Sequence, residues 1–414
     1  MLESFYLKLG DNSVAPIIVS LAIMLSMGFL MTRITNKLHL PNVTAYIIVG
    51  ILIGPYVLNL IPSSFVSRSA FLGDIALAFI AFSTGEFFRL DSLKENGPRV
   101  AVITVFESVL ASVLVFILTY LILHLNLPFS IVISALAAAT APASTVMTIR
   151  QTHARGDFVN TLLQVVALDD VVGLILYSVS ISVAVTVTSG QAFNFMSVIK
   201  PLLLNLAVMA LGGFFGFILT KVLSAPHSDD NRLIIALSFM MVFCGLCALM
   251  DISPLLGCMA MSTVYINISN DDRLFHQLSN FSPPILLLFF VRSGVSFDLG
   301  AILSPSGAIG TTPLLVIGIL YFVVRIVGKY FGAFIGCQLV GKPATTRNYL
   351  GLALIPQAGV AIGLAALGAR TLGGEMGEAL NTIILSSSIL YELVGPASAK
   401  LSLYLSKSYS EETE

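Results

Sequence analysis

The stretch LQVVALDDVVGL, residues 163–174, places two adjacent carboxylates, Asp169 and Asp170, in the middle of an apolar segment that runs from about residue 157 to residue 188. A single Asp at the centre of a bilayer costs about 2.5–3.5 kcal/mol on insertion scales. Ionisable residues at that depth are rare and mark ion and proton pathways, so the pair indicates an ion site inside a membrane. The alternative, above all for Asp169, is a structural salt bridge that locks neighbouring helices together.

The composition of the whole sequence is that of a membrane protein. Of the 414 residues, 57% are hydrophobic and 10% are charged, whereas soluble domains carry about 25% charged residues. The mean hydropathy is +0.95, so the expected partner is the lipid bilayer. The net charge of −1 gives no reason to expect nucleic-acid binding. We also expect no enzyme and no cofactor, because no nucleophile–base set or metal cluster falls at membrane depth.

Apolar segments long enough to cross a bilayer as helices, about 20 residues each, recur along the sequence. They predict an all-α polytopic membrane protein with thirteen transmembrane helices. The predicted spans are 13–35, 41–60, 72–90, 98–124, 128–149, 157–188, 197–223, 231–250, 253–269, 280–300, 311–340, 347–370 and 377–405.

The positions of Lys and Arg predict the orientation of these spans. Basic residues such as Arg33 and Arg150 gather in the links after odd-numbered spans, whereas the links after even-numbered spans hold little beyond Arg68, Lys200 and Arg370. Cytoplasmic loops of membrane proteins carry the excess of Lys and Arg. The pattern therefore predicts a multi-pass protein of a prokaryotic cytoplasmic (inner) membrane, with its N-terminus outside and its C-terminus in the cytoplasm.

Two halves of the sequence resemble each other at an offset of about 210 residues. FSTGEFFRL, residues 82–90, and VRSGVSFDL, residues 291–299, share a G-x-x-F-x-L pattern. Copies separated by seven helices cross the membrane in opposite senses, which is typical of secondary transporters. The other matching pairs are Leu40-Pro41 with Ser253-Pro254, and ATAPA at 139–143 with LIPQA at 354–358.

Prolines interrupt the fifth and twelfth predicted spans at matched positions of this repeat. Pro142 and Pro356 each remove a helical hydrogen bond and free backbone carbonyls, and irregular backbone at membrane depth is tolerated only where it is buried or lines a cavity. Two broken helices beside the acid pair are therefore predicted, with Gln357 in one break. In the other, the hydroxyls of Thr140 and Ser144 are candidate cation ligands. Each break taken alone is equally well read as an ordinary proline kink.

The eleventh span supplies two cations, Arg325 and Lys329, which lie four residues apart and therefore on one helix face. Lys329 is the better candidate for a switchable partner of the acids, because a buried Lys changes its protonation readily while Arg stays charged. Arg325 is a candidate fixed counter-charge, or a structural or snorkelling residue. Which of the two pairs with Asp169 is left open. Glu107 in the fourth span is left open too, as a residue of the inner vestibule or a local structural contact.

The motifs ALDD at 167–170 and IPQAGVA at 355–361, together with Gly328-Lys329 and Gly332, resemble the cation:proton antiporter superfamily. The likeness is greatest to NapA-type sodium/proton antiporters and to the membrane domain of Kef-type transporters, here without a cytoplasmic nucleotide-sensing domain. It implies an NhaA/NapA-like fold with inverted repeats and two crossing broken helices. It also implies a homodimer, with the single integral membrane unit, residues 1–414, divided into scaffold and core. The implied scaffold is 13–90 and 197–300, and the implied ion-transport core is 98–188 and 311–405.

The same resemblance implies roles for individual residues. Asp170 matches the residue that binds the metal cation, a monovalent ion, and the proton, and Thr140 matches a ligand in the unwound helix. Asp169 matches the neighbour that pairs with a lysine, and Lys329 matches that lysine. The expected mechanism breaks the Asp169–Lys329 pair as the cation enters, so that the ammonium loses a proton. The presence of Asp at 169 therefore favours electrogenic exchange.

The sequence thus predicts a secondary active antiporter that exchanges Na⁺, or alternatively Li⁺ or K⁺, for protons by alternating access, with the two ions competing at Asp170. One alternative within transport is a sodium-coupled symporter of an organic solute, with an architecture like that of bile-acid transporters. An alternative of another class is a membrane sensor that transports nothing. Proton movement driven by cations distinguishes the first reading from both alternatives.

Overall fold

The computed structural model describes residues 14–37, 42–141, 145, 148–149, 152–189, 196–225, 227–250, 252–297 and 306–408. In these residues the secondary structure consists of α-helices, a 3₁₀ helix (Gly85–Phe87) and a π-helix (Ile117–Ile122) that continues α5, all joined by short links. The helices are α1 (Ala15–Lys37), α2 (Asn42–Ile53), α3 (Ser63–Arg68), α4 (Phe71–Thr84), α5 (Leu90–Phe116), α6 (Leu127–Leu136), α7 (Asp157–Thr188), α8 (Met196–Leu223), α9 (Asp229–Leu249), α10 (Leu255–Ser269), α11 (Arg273–Phe281), α12 (Pro283–Val295), α13 (Leu314–Leu339), α14 (Ala344–Ala353), α15 (Gly359–Leu372) and α16 (Gly374–Leu405).

The predicted all-helical membrane architecture is confirmed. Within the described residues, seven helices are long and apolar enough to cross a bilayer, and α11 with α12, bent by 46° at the break between them, makes an eighth span if the two cross together. Five shorter apolar helices, α2, α4, α6, α10 and α15, have 10–17 residues each. A helix rises 1.5 Å per residue, so these five are too short to cross a hydrocarbon core of about 30 Å alone. The number of thirteen crossings therefore stays a prediction.

Some helix boundaries differ from the predicted ones for local reasons. The second span was predicted to reach residue 60, but α2 ends at Ile53 because Pro55 follows, and the residue before a proline disfavours helical backbone. The fourth span was predicted from residue 98, but α5 begins at Leu90 and contains Pro98 in its interior. Its first two turns are polar, so hydropathy alone does not reveal that they are helical.

Helices α5 and α13 pack closely along a stripe of glycines spaced four residues apart on α13. A Cβ atom added to Gly332 would lie 2.4 Å from the Cα atom of Glu107, a distance that real Cβ atoms do not adopt. Small residues at this spacing let two helix backbones approach each other in a membrane. The same stripe sets Gly328 against Ala111 and Gly336 against Ile103.

Helices α8 and α10 use the same packing. A Cβ atom on Gly212 would lie 2.1 Å from the carbonyl oxygen of Gly257, and one on Gly216 would lie 2.3 Å from that of Met261. The helix pairs α5–α13 and α8–α10 are therefore both packed closely on glycines.

Two glycines from the matching sequence segments occupy comparable packing positions. Gly294 on α12 approaches α2, where its Cβ atom would lie 2.2 Å from the carbonyl oxygen of Ile47. Gly85, after α4, approaches α10, where its Cβ atom would lie 2.7 Å from the carbonyl oxygen of Met259. This correspondence supports the inverted repeat, which stays a prediction.

The helices pack in two groups. Helices α5, α6, α7 and α13–α16 pack mainly on one another, while α1, α2, α4, α8, α10 and α12 form the second set of neighbours, and α7 with α8 and α4 with α15 connect the two sets. Five charged side chains with no exposed surface all lie in the first group: Glu107 on α5, Asp169 and Asp170 on α7, and Arg325 and Lys329 on α13. The candidate site therefore lies within one helix group. The division into scaffold and core stays a prediction.

Candidate ion-binding site

The acid pair lies near the middle of α7, and both side chains are fully buried. Successive residues of a helix point about 100° apart because the helix has 3.6 residues per turn. Asp169 and Asp170 therefore face different neighbours, and their surroundings differ accordingly.

Asp169 is held by two polar partners. Its Oδ2 atom accepts a hydrogen bond from Lys329 Nζ at 2.8 Å, and its Oδ1 atom accepts one from Ser108 Oγ at 2.5 Å. The sequence left open whether Lys329 or Arg325 pairs with Asp169, and the structure places Lys329 there. This ion pair joins α7 to α13 at full burial.

Glu107, which the sequence left open between an inner-vestibule residue and a local structural contact, belongs to this cluster. Its Oε2 atom lies 2.6 Å from Lys329 Nζ, and its Oε1 atom is 3.1 Å from Ser108 Oγ. Lys329 also donates to the carbonyl oxygen of Ala138. The available signal was the spacing of Gly328, Gly332 and Gly336, which requires a close helix neighbour, although it does not say which helix that is.

Asp170 differs from Asp169 because neither of its carboxylate oxygens has a hydrogen-bond partner among the described residues. Gly173, one turn later on the same face of α7, lies against the break after α6, where its Cβ atom would be 3.4 Å from the backbone nitrogen of Ala139. The neighbouring Thr140 hydroxyl is buried and, in the described part of the chain, also has no hydrogen-bond partner. Asp170 thus lies on the α7 face that meets this break.

The break after α6 meets the break between α14 and α15, which covers residues 354–358. The Ala141 amide donates to the carbonyl oxygen of Pro356 at 2.9 Å. The Gln357 side chain donates to the carbonyl oxygen of Leu136 at 2.7 Å and accepts from the Tyr321 hydroxyl at 3.1 Å. Through these hydrogen bonds, backbone carbonyls that lack a helical partner at the breaks gain a donor. Buried backbone groups need such partners because an unpaired one is costly. Pro142 and Ser144, the other predicted elements of this region, lie outside the described residues.

Arg325 lies at the crossing of the two breaks and does not contact the acid pair through its hydrogen bonds. Its guanidinium donates to backbone carbonyl oxygens of both broken segments, and it stacks 4.7 Å from the ring centre of Tyr391. The acceptors are Ala137 at 3.0 Å, Ala139 at 2.5 Å and Ile355 at 2.8 Å. Helix C-termini carry partial negative charge, so a guanidinium with five N–H donors fits the ends of α6 and α14.

This arrangement gives Asp170 the chemistry of an exchange site. Carboxylate and hydroxyl oxygens are hard ligands of the kind that metal cations without soft ligands prefer. A buried carboxylate without a hydrogen-bond partner is costly as a bare charge, so it requires either a proton or a cation. Asp170 on α7 and Thr140 in the break after α6 both offer such oxygens without a hydrogen-bond partner among the described residues, while Asp169 is already engaged.

Three comparisons with known proteins bear on this site. A family model described as sodium/hydrogen exchanger, transmembrane, matches residues 20–395. No curated protein matches the chain. Two solved structures of the sodium proton antiporter MjNhaP1 from Methanocaldococcus jannaschii are similar at a TM-score of 0.75 and 19% sequence identity. The alignments cover 96% and 97% of this chain, and each covers 99% of the MjNhaP1 chain. The likeness confirms the predicted antiporter-like fold.

Proposed function

The chain belongs to the sodium/hydrogen exchanger family and is a cation/proton antiporter, and within that activity we propose that Asp170 is the group at which a monovalent cation and a proton compete. The family assignment favours neither alternative considered from the sequence, the solute symporter or the sensor. The observation that carries the proposal is a fully buried carboxylate whose two oxygens have no hydrogen-bond partner among the described residues.

Competition at one carboxylate couples the two ions. When Asp170 faces one side of the membrane, a cation binds to its oxygens and its proton leaves to the water on that side. When it faces the other side, a proton binds and the cation leaves. Thr140 supplies a further oxygen, and we assign Ser144 the same role. Gln357, Pro142 and Pro356 shape the two breaks around the bound ion.

The remaining parts of the chain take supporting roles in this proposal. Residues 98–188 and 311–405 form the core that carries the ion, and residues 13–90 and 197–300 form the scaffold through which two copies dimerise. Alternating access comes from movement of the core against the scaffold. The protein lies in a prokaryotic cytoplasmic membrane with its N-terminus outside, in line with the distribution of Lys and Arg.

Sodium is the proposed cation, with Li⁺ and K⁺ as the alternatives. MjNhaP1, which shares the fold, is described as a sodium proton antiporter, and this favours Na⁺ here. No cofactor enters the mechanism, because the transported ions themselves occupy the site.

The test uses purified protein in liposomes that contain a pH-sensitive dye. Addition of Na⁺, Li⁺ or K⁺ to the wild-type protein is expected to move protons, with the largest response to Na⁺. Asp170→Asn is expected to abolish the response, because an amide neither releases a proton nor carries the charge that holds the cation.

Asp157→Asn is the matched control. It makes the same chemical change on the same helix, but Asp157 lies at the exposed beginning of α7, with 56% of its side chain accessible, paired with Lys342. The control is expected to transport normally. Full cation-driven proton movement by Asp170→Asn would show that the exchange site lies elsewhere.

A further inference from the structure

Helix α15 is packed into the helix group that holds Asp170. A Cβ atom on Gly368 would lie 3.1 Å from the Tyr177 hydroxyl oxygen of α7, and one on Gly377 of α16 would lie 2.3 Å from the carbonyl oxygen of Ala369. Helix α4, in contrast, packs on α10 and α12 of the second group. The contact between α4 and α15 therefore joins the two groups.

The part of this contact that lies next to the break between α14 and α15 is apolar. A Cβ atom on Gly359, the first residue of α15, would lie 2.9 Å from Ile80 Cδ1 of α4. One turn further along, a Cβ atom on Gly363 would lie 2.3 Å from Cδ2 of Leu77, which is 1% exposed. Apolar constrictions exclude water and ions, and the glycines offer no side chains that would interlock with α4 and prevent sliding.

Charged side chains cover the end of the contact that lies farther from the break. Arg370, in the last turn of α15, donates to Asp74, in the first turn of α4, and their nearest atoms are 2.9 Å apart. Arg292 of α12 donates to Ser69 Oγ at 3.0 Å and to the carbonyl oxygen of Val66 at 2.8 Å. Both Arg370 and Asp74 act electrostatically on Arg292. Asp74 therefore offsets the repulsion between two cations, one in each helix group.

This charged end faces the outside in the orientation that the Lys and Arg pattern predicts. Water reaches the pair, because 26% of the Asp74 side chain and 46% of the Arg370 side chain are accessible. Exposed ion pairs stabilise a contact only weakly, so this one is easily broken. A weak ion pair above an apolar contact between two helix groups is suited to repeated opening and closing.

We infer that the α4–α15 contact is the outer gate of the cation path, closed in this structure, and that it must part before Asp170 can exchange ions with the water outside. The inference rests on the proposed function of Asp170. In the closed gate, Leu77 and Ile80 separate the crossing of the two breaks from the outer water. Opening moves α15 away from α4 and breaks the Asp74–Arg370 pair, as alternating access around a fixed site requires.

The first experiment fixes the gate in its closed form. Asp74→Cys and Arg370→Cys are combined in a protein whose four native cysteines, all buried, are replaced by alanine. A short, reducible bifunctional thiol reagent then links the two new cysteines. Linked protein in liposomes is expected to lose nearly all Na⁺-driven proton movement and to regain it when the link is reduced. Unchanged transport by fully linked protein overturns the inference.

A second pair of cysteines is the matched control. Asp157 and Lys342 form an ion pair of similar length, 3.0 Å, but both lie in the first helix group, at the start of α7 and in the link after α13. Linking Asp157→Cys to Lys342→Cys joins parts that move together, so transport is expected to continue. Equal loss of transport in this control overturns the assignment, because a link would then not need to cross the gate.

The second experiment reads the gate without measuring transport, so it also decides the case in which the cysteine variants are inactive. Leu77→Cys in the same cysteine-free protein is labelled by a membrane-impermeant maleimide added outside intact cells. Asp74→Asn is expected to speed this labelling severalfold, because Arg370 and Arg292 then repel each other without the carboxylate between them. Asp74→Glu keeps the charge, and labelling is expected to stay slow.

Equal labelling rates in Asp74→Asn and Asp74→Glu overturn the role of the ion pair. Labelling from the cytoplasmic side alone overturns the outer position of the gate. Wild-type protein that shows no cation-driven proton movement contradicts the proposed function instead, and the labelling of Leu77→Cys still tests the gate, so the two failures are distinguishable.

Discussion

The helix pairs α5–α13 and α8–α10 are packed by the same device but differ in what they enclose. In both, glycines four residues apart bring the backbones so close that a Cβ atom would lie 2.4 Å or less from the partner backbone at Gly332 and at Gly216. The first contact holds the Glu107–Lys329 ion pair at 2.6 Å. The second has the buried Cys258 beside its glycines and no fully buried charge among its described residues.

This difference separates stability from function. Close packing of small residues stabilises a helix pair in a membrane and requires no charge. A buried ion pair adds a desolvation cost that packing does not require. The α5–α13 pair therefore includes a desolvation cost that stability alone does not explain. The α8–α10 pair has the same glycine packing without that cost.

The largest expected effect comes from removing the shared cation. Lys329→Gln leaves Glu107 and Asp169 without their counter-charge, and breaking a buried ion pair by removing one partner costs about 3–5 kcal/mol. Thermal unfolding in detergent is expected to show this loss together with loss of transport. Lys221→Gln on α8, at an exposed position, is the control and is expected to stay within about 0.5 kcal/mol of wild type. A Lys329→Gln protein as stable as the control would contradict the view that the ion pair is buried away from water.

A smaller effect is expected at the crossing of the two breaks. Arg325→Gln removes charged hydrogen bonds to three backbone carbonyls, each worth about 1.5–3 kcal/mol. Because glutamine replaces part of these contacts, we expect the free energy of unfolding to fall by about the value of one such bond. Arg325→Lys keeps the charge but not the planar fork, so it should lie between Arg325→Gln and wild type in both unfolding temperature and transport rate. Equal behaviour of the two variants would show that charge alone matters there.

The packing itself is tested by matched glycine variants. Gly332→Ala and Gly216→Ala both force a Cβ atom into a partner backbone, and overpacking of this kind costs about 1–3 kcal/mol. Similar losses of stability are expected in thermal unfolding. Only Gly332→Ala should alter the Na⁺ concentration that gives half-maximal transport, because it displaces Glu107. A comparable shift in Gly216→Ala would remove the distinction between the two helix pairs.

The smallest effect is expected at the ion pair between Asp74 on α4 and Arg370 on α15, whose nearest atoms are 2.9 Å apart. The pair is partly exposed, with 26% and 46% of the two side chains accessible, and such pairs contribute about 0–1 kcal/mol. It joins the proposed scaffold to the proposed core. A double-mutant cycle of Asp74→Asn and Arg370→Gln is expected to give a coupling of that size in stability. A coupling above about 2 kcal/mol would show a stronger interface than the exposure indicates.

The sequence predicted the parts of the site that a single segment reveals. The acid pair stands out in α7 because charges in an apolar span are rare, and Arg325 and Lys329 stand out for the same reason in α13. The proline in the twelfth predicted span correctly indicated the break between α14 and α15. The helical class and the antiport activity followed from these features and from the family resemblance.

The parts that could not be predicted depend on how helices meet. Glu107 is more than 200 residues from Lys329 in the sequence. The two meet only because α5 packs against α13, so the sequence alone does not reveal their contact. Arg325 was weighed as a counter-charge, but its acceptors are backbone carbonyls, and the sequence does not show where freed carbonyls point. The first turns of α5 were missed for a different reason, because they are polar and hydropathy does not reveal that they are helical.

The most direct test of the central claim is the dependence of wild-type Na⁺ transport on pH in liposomes. Competition at Asp170 predicts that the Na⁺ concentration for half-maximal rate rises as the pH falls, by up to about tenfold per pH unit, while the rate at saturating Na⁺ stays the same. A maximal rate that falls with pH at an unchanged half-maximal Na⁺ concentration would contradict competition between the two ions at one carboxylate.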